Sequence, residues 1–89
     1  MTGLTDWLEG LAIADWGCGL GFMRQYAKWG YVGIDGSKSP FADKVVDLCA
    51  FREPTEGLLL RQVLEYNRRW RELLENALWS FSERMVELA

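Results

Sequence analysis

The chain has 89 residues, room for one small domain spanning 1–89 that buries little more than about 60% of the surface its unfolded form exposes. It carries five Trp, four Phe, three Tyr, a formal net charge of −3 and no His. That composition argues against histidine-based acid–base chemistry, against histidine metal sites, and against a charge-driven nucleic-acid surface.

In chain order, Leu4, Trp7, Leu8 and Leu11 are spaced for one or two helical turns, with Thr5 or Asp6 as the cap. Leu11 to Asp15 reads as a buried strand, followed by glycines at positions 17, 19 and 21. Phe22, Met23, Tyr26, Ala27 and Trp29 then form a helical stripe that ends at Gly30, a suitable residue just past a helix. Tyr31 to Ile34 is a second strand that Asp35 ends, and the run from Gly36 to Pro40 is a loop. Lys44 to Cys49 predicts a third strand, and Pro54 and Gly57 a turn. Gly57 to Leu60 begins a fourth strand that runs into Arg61–Leu64.

After Asn67, the residues Trp70, Leu73, Leu74, Ala77, Leu78 and Phe81 mark an amphipathic helix. The cations Arg68, Arg69 and Arg71 alternate with Glu65, Glu72 and Glu75 and read as a solvated helix face. Residues 82–89 fit either a continuation of this helix, through Met85 and Leu88, or a fifth strand. The order of elements predicts an α/β protein whose mostly parallel sheet has four to five short strands with flanking helices.

Cys18 and Cys49 lie in no metal or redox spacing and read as free thiols, with Cys18 a small residue in a tight loop rather than a nucleophile. No apolar run is long enough to span a membrane, and the first residues lack a signal-peptide pattern, so a cytoplasmic protein is expected. The five tryptophans are expected to serve core or interface packing rather than substrate stacking.

The chemistry is concentrated in Asp15-Trp16-Gly17-Cys18-Gly19-Leu20-Gly21 and in Asp35. Glycines after a strand let the backbone turn sharply and approach a ligand with no Cβ in the way. Dinucleotide-binding folds space them as GxGxxG. Here the spacing is GxGxG, and Phe22 stands where the third glycine or alanine would be. Asp15, two residues ahead of the first glycine, is poorly placed beside a pyrophosphate and well suited to a cationic or amine-bearing ligand. A nicotinamide- or flavin-binding module is therefore disfavoured.

This acid-x-Gly-x-Gly-x-Gly run, with Asp35 after the second strand, resembles the first motifs of the class I S-adenosylmethionine-dependent methyltransferases. Asp47-Leu48 after Val45-Val46, and Gln62-Val63-Leu64-Glu65-Tyr66 after the fourth strand, are similar to further segments of that family. The resemblance covers roughly residues 11–81 and implies a partial Rossmann-like methyltransferase fold with S-adenosylmethionine as cofactor. It implies that Asp15 neighbours the methionine moiety or holds the loop. Gly17, Cys18, Gly19 and Gly21 would lie under the cofactor, and Asp35 would accept from both ribose hydroxyls. Asp47 would face the adenine amine with Leu48 against the ring, and Arg61 and Gln62 would lie near the sulfonium. It names no catalytic residue and no acceptor.

The family core has seven strands, of which this chain is expected to supply four, or five at most, so it looks truncated after the fourth strand and its following helix. An unpaired fourth-strand edge would then favour a homodimer through that edge, the C-terminal helix, or both. The alternative to a methyl-transferring enzyme is a non-catalytic cofactor-binding or dimerisation module that lacks the substrate half.

Overall fold

The computed structural model describes residues 10–27, 29–61, 64 and 67–88. The expected N-terminal helical turn, with Trp7, and the residues Gln62, Val63, Glu65 and Tyr66 lie outside the described residues. The elements are β1 (Ile13–Trp16), a 3-10 turn (Phe22–Gln25), β2 (Tyr31–Asp35), β3 (Lys44–Val45), β4 (Thr55–Arg61), α1 (Trp70–Ser80) and β5 (Phe81–Leu88). They form one sheet in the order β3-β2-β1-β4-β5, and every neighbouring pair is parallel. The expected α/β class holds, with five strands.

β1 and β4 are central, and a parallel strand covered on both faces needs apolar residues at successive positions. Ile13–Trp16 are all buried, as are Gly57–Leu60. On one face Ala14, Trp16, Ile34, Leu58 and Leu60 meet Leu73 and Ala77 of α1, with Leu48 and Cys49 closing the side. Trp16 and Phe51 pack edge to face, ring centroids 5.6 Å apart. On the other face Ile13 and Leu59 meet Met23 and Ala27 near the 3-10 turn.

Several elements differ from the expectations, each for a local reason. The stripe after the glycine loop forms only a four-residue 3-10 turn, which starts from Gly21 at φ 72° with no side-chain cap. β3 is two residues long rather than six. Asp47 turns the chain there, its Oδ1 accepting the Cys49 N–H at 2.9 Å and its carbonyl the Ala50 N–H at 2.9 Å. β4 starts two residues early, at Thr55, with a bulge before Gly57.

The helix stops at Ser80, and Phe81 is already extended. Residues 81–88 form β5 along β4. Met85 packs on the α1 face and Val86 on the opposite face, so β5 extends both core layers. The chain thus goes one strand past the fourth strand and helix, to the fifth of the four to five strands expected, and β5 covers the outer edge of β4, so the expected dimer contact through that edge is not available. Charged Glu83, Arg84 and Glu87 lie along the new edge strand.

The buried face of α1 is also rotated from the expected stripe. Leu73, Asn76, Ala77 and Ser80 are buried, whereas Leu78 is 52% exposed and Trp70 and Trp79 are exposed too. Asn76, 6% exposed, is the reason. Its Nδ2 donates to the Cys49 carbonyl at 2.8 Å and its Oδ1 accepts from Arg52 Nε at 2.6 Å, fastening α1 to the segment between β3 and β4. Ser80 Oγ adds a bond from the Glu53 N–H at 3.3 Å. Asn76→Ala removes the bond to the carbonyl of buried Cys49 and the tie to the exposed Arg52, and urea denaturation should show a loss of about 1–3 kcal/mol, most of it from the buried side.

Candidate functional site at the carboxyl ends of the strands

In an open parallel sheet, ligands bind in the crevice outside the carboxyl ends of the strands where the chain reverses its direction of winding. That point lies here between β1 and β4. The loop Gly17–Gly21 leaves β1 at this edge, and Arg61 closes β4 there. Asp15, Asp35 and Asp47 sit at or just beyond the ends of β1, β2 and β3, three neighbouring strands.

The loop is built by its glycines, all at positive φ: 77° at Gly17, 55° at Gly19 and 72° at Gly21. A side chain added at Gly19 would meet nothing within 4 Å, so this stretch of backbone faces open space. The loop's own N–H groups are turned inward. Those of Gly17 and Cys18 donate to the Ile34 carbonyl at 2.7 and 3.2 Å, and that of Gly21 donates to the Cys18 carbonyl at 2.9 Å. The Gly19 N–H donates to Asp35 Oδ2 at 3.0 Å, while Asp35 Oδ1 accepts the Ser37 N–H at 3.0 Å. Asp35 thus ties the glycine loop to the loop after β2. Each carboxylate oxygen has two acceptor positions, so one on each remains.

Asp15 is fully buried. Its Oδ2 accepts the Tyr31 hydroxyl at 2.5 Å and lies 4.0 Å from Arg61 Nη1, while its Oδ1 has no hydrogen-bond partner among the described residues. Burial pushes its carboxyl above the ordinary aspartate range, against the opposing pull of the Tyr31 bond and Arg61. Tyr31, in turn, is raised by burial and by the carboxylate it serves. Arg61, 26% exposed, also donates from Nη1 to the Cys18 carbonyl at 3.3 Å, so it spans the gap between β4 and the loop.

Cys18 is buried, and burial followed by the charges of Asp15 and Asp35 raises its thiol pKa. It has the character of a packing residue, not of a thiolate nucleophile. Asp47 is exposed, holds the turn after β3, and has Arg69 Nη1 3.8 Å from its Oδ2. Leu48 is buried in the α1-side core. The structure therefore brings Asp15, Gly17, Cys18, Gly19, Gly21, Asp35 and Arg61 together, sets Asp47 at the edge, and turns Leu48 inward.

Sequence reasoning missed Tyr31, Arg24 and Asp43. Asp43 Oδ2 accepts both the Gly33 N–H and Arg24 Nη2 at 2.8 Å, and the Gly33 bond, above all, holds its carboxyl below the usual range. The available signal was Gly33 itself, since a glycine inside a strand marks close approach by another group. A Cβ there would lie 3.1 Å from Cys18 Sγ and 3.2 Å from both the Phe41 carbonyl and Tyr31 Cε1.

Compared with solved structures, the chain is similar to an S-adenosylmethionine-dependent methyltransferase from Mesorhizobium loti, with a TM-score of 0.63 and 21% sequence identity, covering 90% of this chain and 48% of that one. The fold is class I methyltransferase-like. A second similar structure is magnesium protoporphyrin IX methyltransferase from Synechocystis PCC 6803 with bound SAH, with a TM-score of 0.57 and 15% identity, covering 89% of this chain and 49% of that one. The chain spans about half the length of each. No protein-family model and no curated protein matches it. Among the described residues no helix is long and apolar enough to cross a membrane.

The buried charge of Asp15 has a measurable cost. A carboxyl whose pKa is raised on folding takes up a proton more readily in the folded state, so its charge opposes folding at neutral pH. Asp15→Asn should therefore raise the urea midpoint at neutral pH. That gain should shrink as the pH falls through the raised pKa of Asp15, where the native carboxyl becomes neutral as well.

Proposed function

We propose that the chain binds S-adenosylmethionine across the carboxyl ends of β1, β2 and β3, as a methyltransferase-type module. The observation that carries this reading is the open backbone at Gly19 set between Asp35 and Asp15. The residues present fit the cofactor. The cradle at Gly19 admits a close flat contact, Asp35 retains two acceptor positions for a ribose diol, and Asp15 Oδ1, which has no partner among the described residues, matches a positively charged group.

In this reading Asp35 fixes the ribose and, through the Gly19 N–H, the height of the loop beneath it. Asp15 and Arg61 lie where the methionine end would rest, with Arg61 keeping the loop closed through the Cys18 carbonyl. Asp47, at the end of β3, lies on the side where the adenine would extend. Gln62, Val63, Glu65 and Tyr66 lie outside the described residues, and the role given to Gln62 rests on the sequence resemblance alone. When bound, the cofactor supplies an electrophilic methyl group on a sulfonium. Transfer then depends mainly on alignment of an acceptor, and a nucleophilic acceptor needs no general base from the chain.

The inward-turned loop N–H groups support this reading over a dinucleotide site. A pyrophosphate is held by free N–H groups at the start of a helix. Here those of Gly17, Cys18, Gly19 and Gly21 are already engaged, and the turn that follows has only four residues.

Calorimetric titration with S-adenosylmethionine tests the proposal, with NAD as competitor. Binding should be insensitive to NAD. Asp35→Asn, which keeps one acceptor oxygen, should weaken it by about 10- to 100-fold, the value of hydrogen bonds to a charged group. No binding by folded protein would overturn the reading, and binding without transfer to any acceptor would favour the non-catalytic module.

A further inference from the structure

The buried carboxylate of Asp15 is served by a chain of contacts that reaches the surface, and this chain is not explained by packing alone. In the parallel register Tyr31 lies opposite Ile13, and Gly33 lies opposite Asp15. A tyrosine two residues upstream of the position facing Asp15 reaches it only by laying its ring along β2, across Gly33. The missing side chain at Gly33 provides that room, since a Cβ there would stand 3.2 Å from the ring carbon Cε1. The Arg24 guanidinium covers the ring, 4.4 Å from its centroid. Asp43 fixes Arg24 at 2.8 Å and uses the same oxygen to hold the backbone N–H of Gly33. Three side chains, from the 3-10 turn, β2 and the loop before β3, together with the bare backbone of Gly33, thus converge to place one hydroxyl on Asp15 Oδ2.

We propose that Tyr31, given room by Gly33 and braced by Arg24 and Asp43, is a positioning residue that keeps the Asp15 carboxylate ionised and oriented for a cationic ligand. The inference deepens the cofactor reading above, on which its ligand arm rests. The groups that face Asp15 are Tyr31 of β2, Arg61 of β4, Asp35 at the end of β2, and Cys18 in the glycine loop. Of these, Arg61 lies at 4.0 Å, Asp35 carries the same charge sign, and the Cys18 thiol is held neutral. The Tyr31 hydroxyl is the one group within hydrogen-bond distance among the described residues, which makes it the principal support of the ionised form. Its ring, braced by Arg24, keeps the carboxylate from rotating. Oδ1 is thereby left as the acceptor with no partner among the described residues.

The test is a carboxyl NMR titration of protein labelled at aspartate, with the Asp15 signal identified by its absence in Asp15→Asn. Tyr31→Phe keeps the ring and removes the hydroxyl. It should move the Asp15 midpoint upward by about one to two pH units, the equivalent of one hydrogen bond to a charged group. Arg24→Gln, a change at the surface that leaves the hydroxyl in place, should move it in the same direction by less. An unmoved midpoint in Tyr31→Phe overturns the proposal.

The second arm is S-adenosylmethionine affinity against pH. The deficit of Tyr31→Phe should be about tenfold or more near the wild-type Asp15 midpoint and should vanish at alkaline pH, where the carboxyl is ionised in both proteins. A deficit equal at every pH would mark a merely structural role and also overturn the proposal. If the wild-type chain binds no S-adenosylmethionine, the cofactor reading falls, and the Asp15 titration still decides the role of Tyr31.

Discussion

The structure depends on an aspartate placed where water does not reach. β1 is hydrogen-bonded to β2 on one side and β4 on the other, and all four of its residues are buried. Three are apolar, and their burial holds the two core layers together. The remaining one is Asp15, whose charge works against the packing around it. Tyr31, Arg61 and the assembly behind Tyr31 offset part of that cost, and one oxygen has no partner among the described residues. A core selected for stability alone would place an apolar residue here. Polar groups held at a cost inside a sheet are frequent where a ligand completes the site.

The glycine loop follows from the same strand. Leaving β1 at Trp16, the chain turns at once over the end of β2, and its N–H groups find the Ile34 carbonyl and Asp35 within five residues. Positive φ at three alternate positions makes that turn possible. The outcome is a loop fastened from below and open above at Gly19. It presents surface rather than N–H donors, which suits a flat or cationic ligand better than a phosphate. On the other side of β1, Asn76 and Ser80 fasten α1 to the segment after β3, so the layer beneath the site is rigidly joined although the sheet is small.

Much of this was legible in the sequence, and the limits have physical causes. The strand–glycine–strand unit was readable because Asp15, the alternating glycines and Asp35 lie within one short local pattern. The parallel sheet followed from element order. β5 was ambiguous because Phe81, Met85 and Leu88 satisfy a helical spacing as well as a strand, and only the open edge of β4 decides between them. The early end of β3 rests on whether the Asp47 side chain bonds its own backbone, which composition does not show. The rotation of α1 hinged on Asn76, a polar residue buried by partners nearly thirty positions away. The service of Asp15 by Tyr31 depends on strand register and on space at Gly33, both of which exist only once β1 and β2 are paired.

The open backbone of the glycine loop, with Asp35 and Asp15 beside it, is proposed above as a cofactor site. A crystal structure of the chain with S-adenosylhomocysteine, the demethylated form of the cofactor, tests it most directly. The ligand is expected over Gly17–Gly21, with its ribose oxygens on Asp35 and its amino-acid end beside Asp15 and Arg61. Ligand bound at another surface, or a well-ordered crevice left empty at saturating ligand, would contradict it.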